Sequence, residues 1–158
     1  STRVRSSAAS DVYKRQPQEM SQVNYYGMGP MECYRDKHHA ASHSSYTATV
    51  WQLHEDYIRP QENGSHFDCD YVMLAGDAVR LTAVGTQPFS FNASHYTQEE
   101  LTRKAHNYEL EPCGSTVLCL DYAQNGIGSE SCGPRLLEQY RLDDATFNFG
   151  LRLFPEKK

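Results

Sequence analysis

The strongest constraint on this chain is a repeated texture: short runs of β-branched and aromatic residues, each closed by a turn signal. Tyr46 to Leu53 (YTATVWQL) is one such run, and Phe67 to Leu74 (FDCDYVML) is another, with Asp68, Asp70, Val72 and Leu74 alternating against Phe67, Cys69, Tyr71 and Met73. Pro88 to Ala93 (PFSFNA), Thr116 to Tyr122 (TVLCLDY) and Ala145 to Leu153 (ATFNFGLRL) continue the pattern. Such residues favour the half-buried pleated surface of a sheet, and period two puts alternate side chains on opposite faces. Gly27-Met28-Gly29-Pro30, Asn63-Gly64 and Gly76-Asp77 are the punctuation between runs, because glycine supplies positive φ and proline presets a turn. Val23, Tyr25 and Tyr26 read as a short strand ended by the first of these turns, and Val79, Leu81 and Ala83 begin the return strand of a hairpin. Many short strands with regular turns predict an all-β antiparallel sandwich.

One helix interrupts the strands. In Ser94 to Lys104, Thr97 stands three residues before Glu100, the capping-box spacing, and Leu101 and Ala105 lie one turn apart. Arg35 to Ser45 is charged and rich in histidine without apolar periodicity, and reads as a long surface loop. Ser1 to Gln16 is polar, its Val4, Val12 and Tyr13 too scattered for either period, and reads as an unstructured or non-native lead before one domain, Pro17 to Lys158. The lead lacks an apolar core, so it is no signal peptide, and no run is long enough for a spanning helix.

Composition narrows the function classes. Lys plus Arg is 15 against 20 Asp plus Glu, a net charge of −5, which argues against nucleic acid or an anionic membrane as partner. Eleven Tyr and six Phe argue for a folded sheet and against disorder. The five cysteines, Cys33, Cys69, Cys113, Cys119 and Cys132, are odd in number and lack Cys-x-x-Cys spacing, which fits reduced thiols in a cytoplasmic protein.

Chemistry-bearing patterns are sparse. Glycoside hydrolysis needs two carboxyl groups facing across one bond. Glu99-Glu100 are successive helix residues that point apart, Asp143-Asp144 sit in a polar turn, and Asp68 and Asp70 read as a solvent face, so no catalytic residue is assigned. His38, His39 and His43 lack the spacing of a metal site, and no metal ligand is assigned. Gly126-Ile127-Gly128-Ser129 lacks the lysine of a phosphate loop. Cys132, held among Gly126, Gly128, Gly133 and Pro134, has no nearby base to make it a nucleophile and reads as a structural loop cysteine.

Four blocks carry a specific resemblance. Val23 to Lys37 (VNYYGMGPMECYRDK), Tyr57 to Gly64 (YIRPQENG), Pro88 to Tyr96 (PFSFNASHY) and Leu120 to Pro134 (LDYAQNGIGSESCGP) resemble, in order and spacing, the C-terminal, small-chain domain of β-galactosidases of glycoside hydrolase family 2. The resemblance implies a β-supersandwich related to the galactose mutarotase fold. It implies hydrolysis of terminal, non-reducing β-D-galactosides such as lactose by catalytic glutamates on an upstream TIM barrel, so this piece alone is expected to be inactive. It further implies a homo-oligomeric parent enzyme, no cofactor within this domain, and magnesium and sodium in the parent.

The family sends one loop to the mouth of the barrel, where an aromatic or a cysteine lines the sugar subsite. The matching loop is Gly126 to Pro134, which makes Cys132, flanked by Ser131 and Gly133, the substrate-proximal candidate in a lining role. Glu62, Asn63 and His95 are candidates for contact with the sugar or a neighbouring domain. Cys33 stands where the family usually has asparagine, and a thiol hydrogen-bonds the backbone more weakly than an amide.

Two other functions compete. A stand-alone carbohydrate-binding sandwich would present exposed aromatics, whereas Trp51, the single tryptophan, lies in a strand pattern that predicts core burial. A mutarotase-like enzyme would need a paired histidine and carboxylate, for which His95 and Glu62 are the pair to test.

Overall fold

The computed structural model describes residues 9–127, 137–143 and 146–158. Among these residues seven strands, β1 (Ala9–Pro17), β2 (Gln22–Gly29), β3 (Ser42–Thr49), β4 (His66–Ala75), β5 (Val79–Ser94), β6 (Ser115–Ala123) and β7 (Leu151–Lys157), and one short α-helix, α1 (Gln98–Arg103), make the fold all-β. Every pairing is antiparallel, in the order β1-β6-β5-β4-β2-β3, with β7 branching from β5. The branch follows from the length of β5. Its first half lies between β4 and β7, while its second half, Ser90 to Ser94, pairs with β6. The run Pro88 to Ala93 is therefore the continuation of the hairpin's return strand and not a separate one.

The core draws Val23 and Tyr25 from β2, Val72 and Leu74 from β4, Leu81, Phe89 and Phe91 from β5, and Leu118 and Leu120 from β6. Met20, Val50 and Leu53 close it. β6 is buried on both faces from Thr116 to Asp121, and Leu101 of α1 is buried as well. The predicted cap is present: Thr97 accepts from the Glu100 amide at 3.1 Å. The helix nevertheless stops at Arg103, and Ala105 is exposed beyond it.

Several expectations from sequence are corrected. Ala9 to Gln16 is not an unstructured lead, because it forms most of β1 and pairs with β6 from Ala9↔Ala123 to Pro17↔Ser115. Backbone pairing to an available edge requires no apolar periodicity, which is why the pattern missed it. Residues 1–8 lie outside the described set. β2 runs through Gly27, which is a strand residue and not part of a turn; a Cβ there would overlap the Cys69 thiol, so glycine permits close strand approach.

Strict alternation also fails in β4. Asp68 and Asp70 face solvent while Val72 and Leu74 are buried, since the ladder shifts register between His66 and Tyr71 and Asp68 adopts φ 56°. A bulge adds a residue and exchanges the faces. β3 begins at Ser42, inside the predicted loop, and ends at Thr49, where a 3-10 turn, Val50–Leu53, takes over. The last strand starts only at Leu151; Phe147 and Phe149 precede it and pack on the Tyr122 ring at 4.8 and 6.2 Å between centroids.

Candidate functional site

The loop that the sequence singles out leaves the end of β6, and its base is built from polar clasps. The buried Asp121 carboxylate accepts from Gln124 Nε2 at 2.6 Å, which holds the first residue past the strand. Asn125 Oδ1 accepts from the Leu142 amide at 2.8 Å, joining the entry of the segment to the chain that returns from it. Two residues on, the Ile127 amide donates to Asp36 Oδ1 at 3.1 Å. Gly126 has no room for a side chain, because a Cβ would overlap the Asp36 carboxyl group. Cys132, Ser131 and Gly133 fall outside the described residues.

Asp36 is placed by a second, more buried cluster. It sits in a tight reverse turn closed by Tyr34 N to Lys37 O at 3.0 Å and Lys37 N to Tyr34 O at 2.9 Å. Both ends of that turn bond Glu32, whose residue is only 4% exposed. Its carboxylate accepts from Lys37 Nζ at 2.6 Å, the Gly64 amide at 2.8 Å, Tyr34 Oη at 3.4 Å and Tyr57 Oη. Burial by itself would raise the Glu32 pKa, but the bonds from Lys37, Tyr57 and Gly64 and the Lys37 charge outweigh it and hold the carboxyl below its usual range. Burial and the Glu32 charge push the Tyr34 and Tyr57 hydroxyls up, so both remain donors.

Glu32 thus ties together two segments, 23–37 and 57–64, that the sequence showed only as separate blocks. Its charge was visible there but its partners were not. Beside it Cys33 is fully buried, donates from Sγ to Met28 O at 3.2 Å, and has a thiol pKa pushed up by burial to about 11. The thiol therefore makes a backbone bond of the kind expected of an amide at that position.

The other candidates occupy structural positions. Asn63 is buried, accepts from the Glu55 amide at 3.0 Å and donates to Gln61 O at 2.9 Å, while Gly64 takes φ 71° against Leu53 O. Glu62 is half-buried and accepts from Gln98 Nε2 at 3.2 Å. His95 is 2% exposed, with Nδ1 3.4 Å from Thr116 Oγ1 and its ring 4.6 Å from that of Trp51. Burial places Asn63 and His95 inside the domain, with the ring of Trp51 packed on that of His95. Trp51 corrects its own expectation: it is 49% exposed, because the chain turns into the 3-10 helix capped by Thr49 and Gln52 instead of continuing the strand.

The remaining carboxylates and histidines have local partners. Glu100 pairs with Arg103 at 2.6 Å and Lys104 at 3.5 Å and accepts from the Glu111 amide, while Glu99 and Asp143 are exposed. His38 lies against Tyr34 O and His43 against Asp68 O. Among the described residues no group of three or more His, Cys, Asp or Glu side chains is placed to hold a metal ion. No helix among them is long and apolar enough to cross a membrane.

Comparison with known proteins gives this geometry its context. The chain is 50% identical over 135 residues to the beta-galactosidase of Actinobacillus pleuropneumoniae, a match covering 85% of the chain and 13% of that protein. It is 42% identical over 137 residues to the beta-galactosidase of Staphylococcus xylosus, covering 87% of the chain and 14% of the relative. With the beta-galactosidase of Kluyveromyces lactis it shares 33% over 126 residues, 79% of the chain and 12% of the relative. The chain thus spans about an eighth of the length of these relatives. The profile of one family, described as beta galactosidase small chain, matches residues 12–153, from within β1 into β7 and across both clasps, and the chain belongs to that family.

Proposed function

We propose that this chain is the terminal accessory domain of a β-galactosidase that hydrolyses terminal, non-reducing β-D-galactosides such as lactose, contributing a loop to the sugar site and a surface for assembly. The observation that carries this reading is the 50% identity to a beta-galactosidase of which the chain spans only 13%. Retaining hydrolysis needs a carboxylic acid and a carboxylate about 5 Å apart. The buried carboxylates described here are engaged in internal bonds: Glu32 with Lys37, Glu100 with Arg103 and Asp121 with Gln124. The acid and nucleophile then belong to an upstream barrel, as would magnesium and sodium. Asp36, Gly126 and Asn125 hold the base of the loop, and Cys132 lines the sugar subsite without covalent chemistry. The parent enzyme is a cytoplasmic homo-oligomer in this reading.

The experiment is a pair of assays on a chromogenic galactoside. The purified chain alone should show no turnover. A chimera in which it replaces the matching segment of the Actinobacillus pleuropneumoniae enzyme should be active. Turnover by the chain alone in independent preparations, or an inactive but folded chimera, overturns the reading.

A second reading, a stand-alone carbohydrate-binding sandwich, is favoured by the exposed Trp51 ring, a flat face on which a pyranose could stack. Trp51 is the only tryptophan, so intrinsic fluorescence reports on it alone. Saturable change on titration with galactose would support this reading, and an unchanged spectrum would refute it.

A further inference from the structure

We propose that Asp36 is a positioning residue of the sugar-site loop, holding the entry of that loop at Gly126 and Ile127 while the Glu32 cluster holds Asp36. The proposal rests on the reading that the loop leaving Gly126 borders the sugar, and adds to it which residue determines where the loop starts.

The contact is one of shape as well as of hydrogen bonding. The Asp36 carboxyl occupies the space that any side chain at position 126 would need, and its Oδ1 accepts from the next amide at 3.1 Å. Glycine at 126 and aspartate at 36 therefore form a matched pair 90 positions apart, with neither replaceable by a larger residue without displacing the other. The carboxylate has little freedom to follow a wandering loop, because the paired backbone bonds between Tyr34 and Lys37 close the turn that carries it. The side chains of those same two residues reach the buried Glu32 carboxylate, at 3.4 and 2.6 Å. Glu32 is held in turn by Tyr57 and by the Gly64 amide.

The order of constraint runs from the Gly64 amide through Glu32 and the 34–37 turn to Asp36, and from there to Ile127. On the returning side Asn125 fixes Leu142, so the two ends of the segment are brought together. Fixing Ile127 on Asp36 and Leu142 on Asn125 sets where the chain enters this segment and where it returns.

The test has two arms. In the chain itself, amide hydrogen exchange at Ile127 reads the clasp directly, with the Leu142 amide as internal reference. Asp36→Ala should speed exchange at Ile127 about tenfold while leaving Leu142 unchanged, and Asp36→Asn, which keeps an acceptor oxygen, should largely restore protection. In the chimera with the Actinobacillus pleuropneumoniae enzyme, Asp36→Ala should raise KM for a nitrophenyl galactoside about tenfold, with kcat within about threefold, and Asp36→Asn should rescue it. Gly126→Ala reaches the clasp from the other side. It should reproduce the Asp36→Ala kinetics, and the double substitution should add little.

Unchanged exchange at Ile127 in Asp36→Ala overturns the clasp. Faster exchange with unchanged KM, while Cys132→Trp does alter KM, overturns the positioning role and leaves the loop at the sugar. If neither Asp36→Ala nor Cys132→Trp alters KM, the placement of the loop at the sugar fails, and this proposal fails with it. Loss of thermal stability alone, with KM unmoved, would make Asp36 a structural residue and also overturn the proposal.

Discussion

Acid should destabilise this domain through His66 well before its carboxylates protonate. His66 is fully buried, its ring 4.6 Å from that of Tyr25 and 5.2 Å from that of Phe91. Nδ1 lies 3.1 Å from Met28 O, an atom that can only accept, so Nδ1 carries the proton of the neutral ring. A second proton would have to sit on Nε2, which is buried without a hydrogen-bond partner among the described residues. Burial accordingly lowers the pKa from 6.5 to about 4, against the opposing effects of the Met28 carbonyl and Glu32.

The folded state thus binds fewer protons than the unfolded one between these two values. Stability is intact above pH 6.5, declines as pH falls, and levels off for this group below about pH 4. At 1.36 kcal/mol per unit, the loss between pH 7.5 and pH 5 is about 2 kcal/mol, or roughly 4 to 8 °C in Tm for a chain of this length. His54 and His95, whose pKa values burial also lowers, act in the same direction. Glu32 acts in a separate window, because its lowered pKa contributes stability that is lost only as pH falls below the ordinary glutamate range. The assay is thermal unfolding from pH 7.5 to 5, repeated on His66→Phe, with the imidazole titration followed by NMR. The variant loses the bond to Met28 O and starts from a different stability, so the comparison is between slopes. A wild-type Tm that stays flat to pH 5, equal slopes in both proteins, or a His66 resonance titrating near 6.5 would each refute the argument.

Three other outcomes are expected. Deleting residues 9–16 removes most of β1 and bares the edge of β6, and should lower Tm by more than a few degrees, equivalent to more than about 1 kcal/mol, with increased aggregation in light scattering. Gly27→Ala forces a methyl group into the Cys69 thiol and should destabilise by about 1 to 3 kcal/mol in urea unfolding, whereas the same change at Gly114, which has open space but φ 67°, should cost only its backbone strain. In the active chimera, Cys132→Ser should change KM or kcat by no more than about tenfold, or about 1.4 kcal/mol, and a loss as complete as removal of a barrel glutamate would make the thiol a catalytic group.

What the sequence determined by itself is what short-range preferences control. Gly64 takes the positive φ that its Asn-Gly pair signals, Gly76-Asp77 turns the chain where it stands, and the Thr97 to Glu100 spacing makes a cap because its partners are one helical turn apart. Alternating apolar residues in β5 found the core for the same local reason. Tertiary structure decided the rest. β1 is a strand because β6 offers it an edge, Gly27 is required because Cys69 lies across the sheet, and Trp51 faces outward because the chain bends after Thr49. The loop base is likewise invisible in sequence: Asp36 and Ile127 are 91 positions apart, and Glu32 finds Tyr57 and Gly64 25 and 32 positions away. A hydrogen bond specifies the distance between two groups in space, and only the packed sheet brings residues so distant along the chain within that distance.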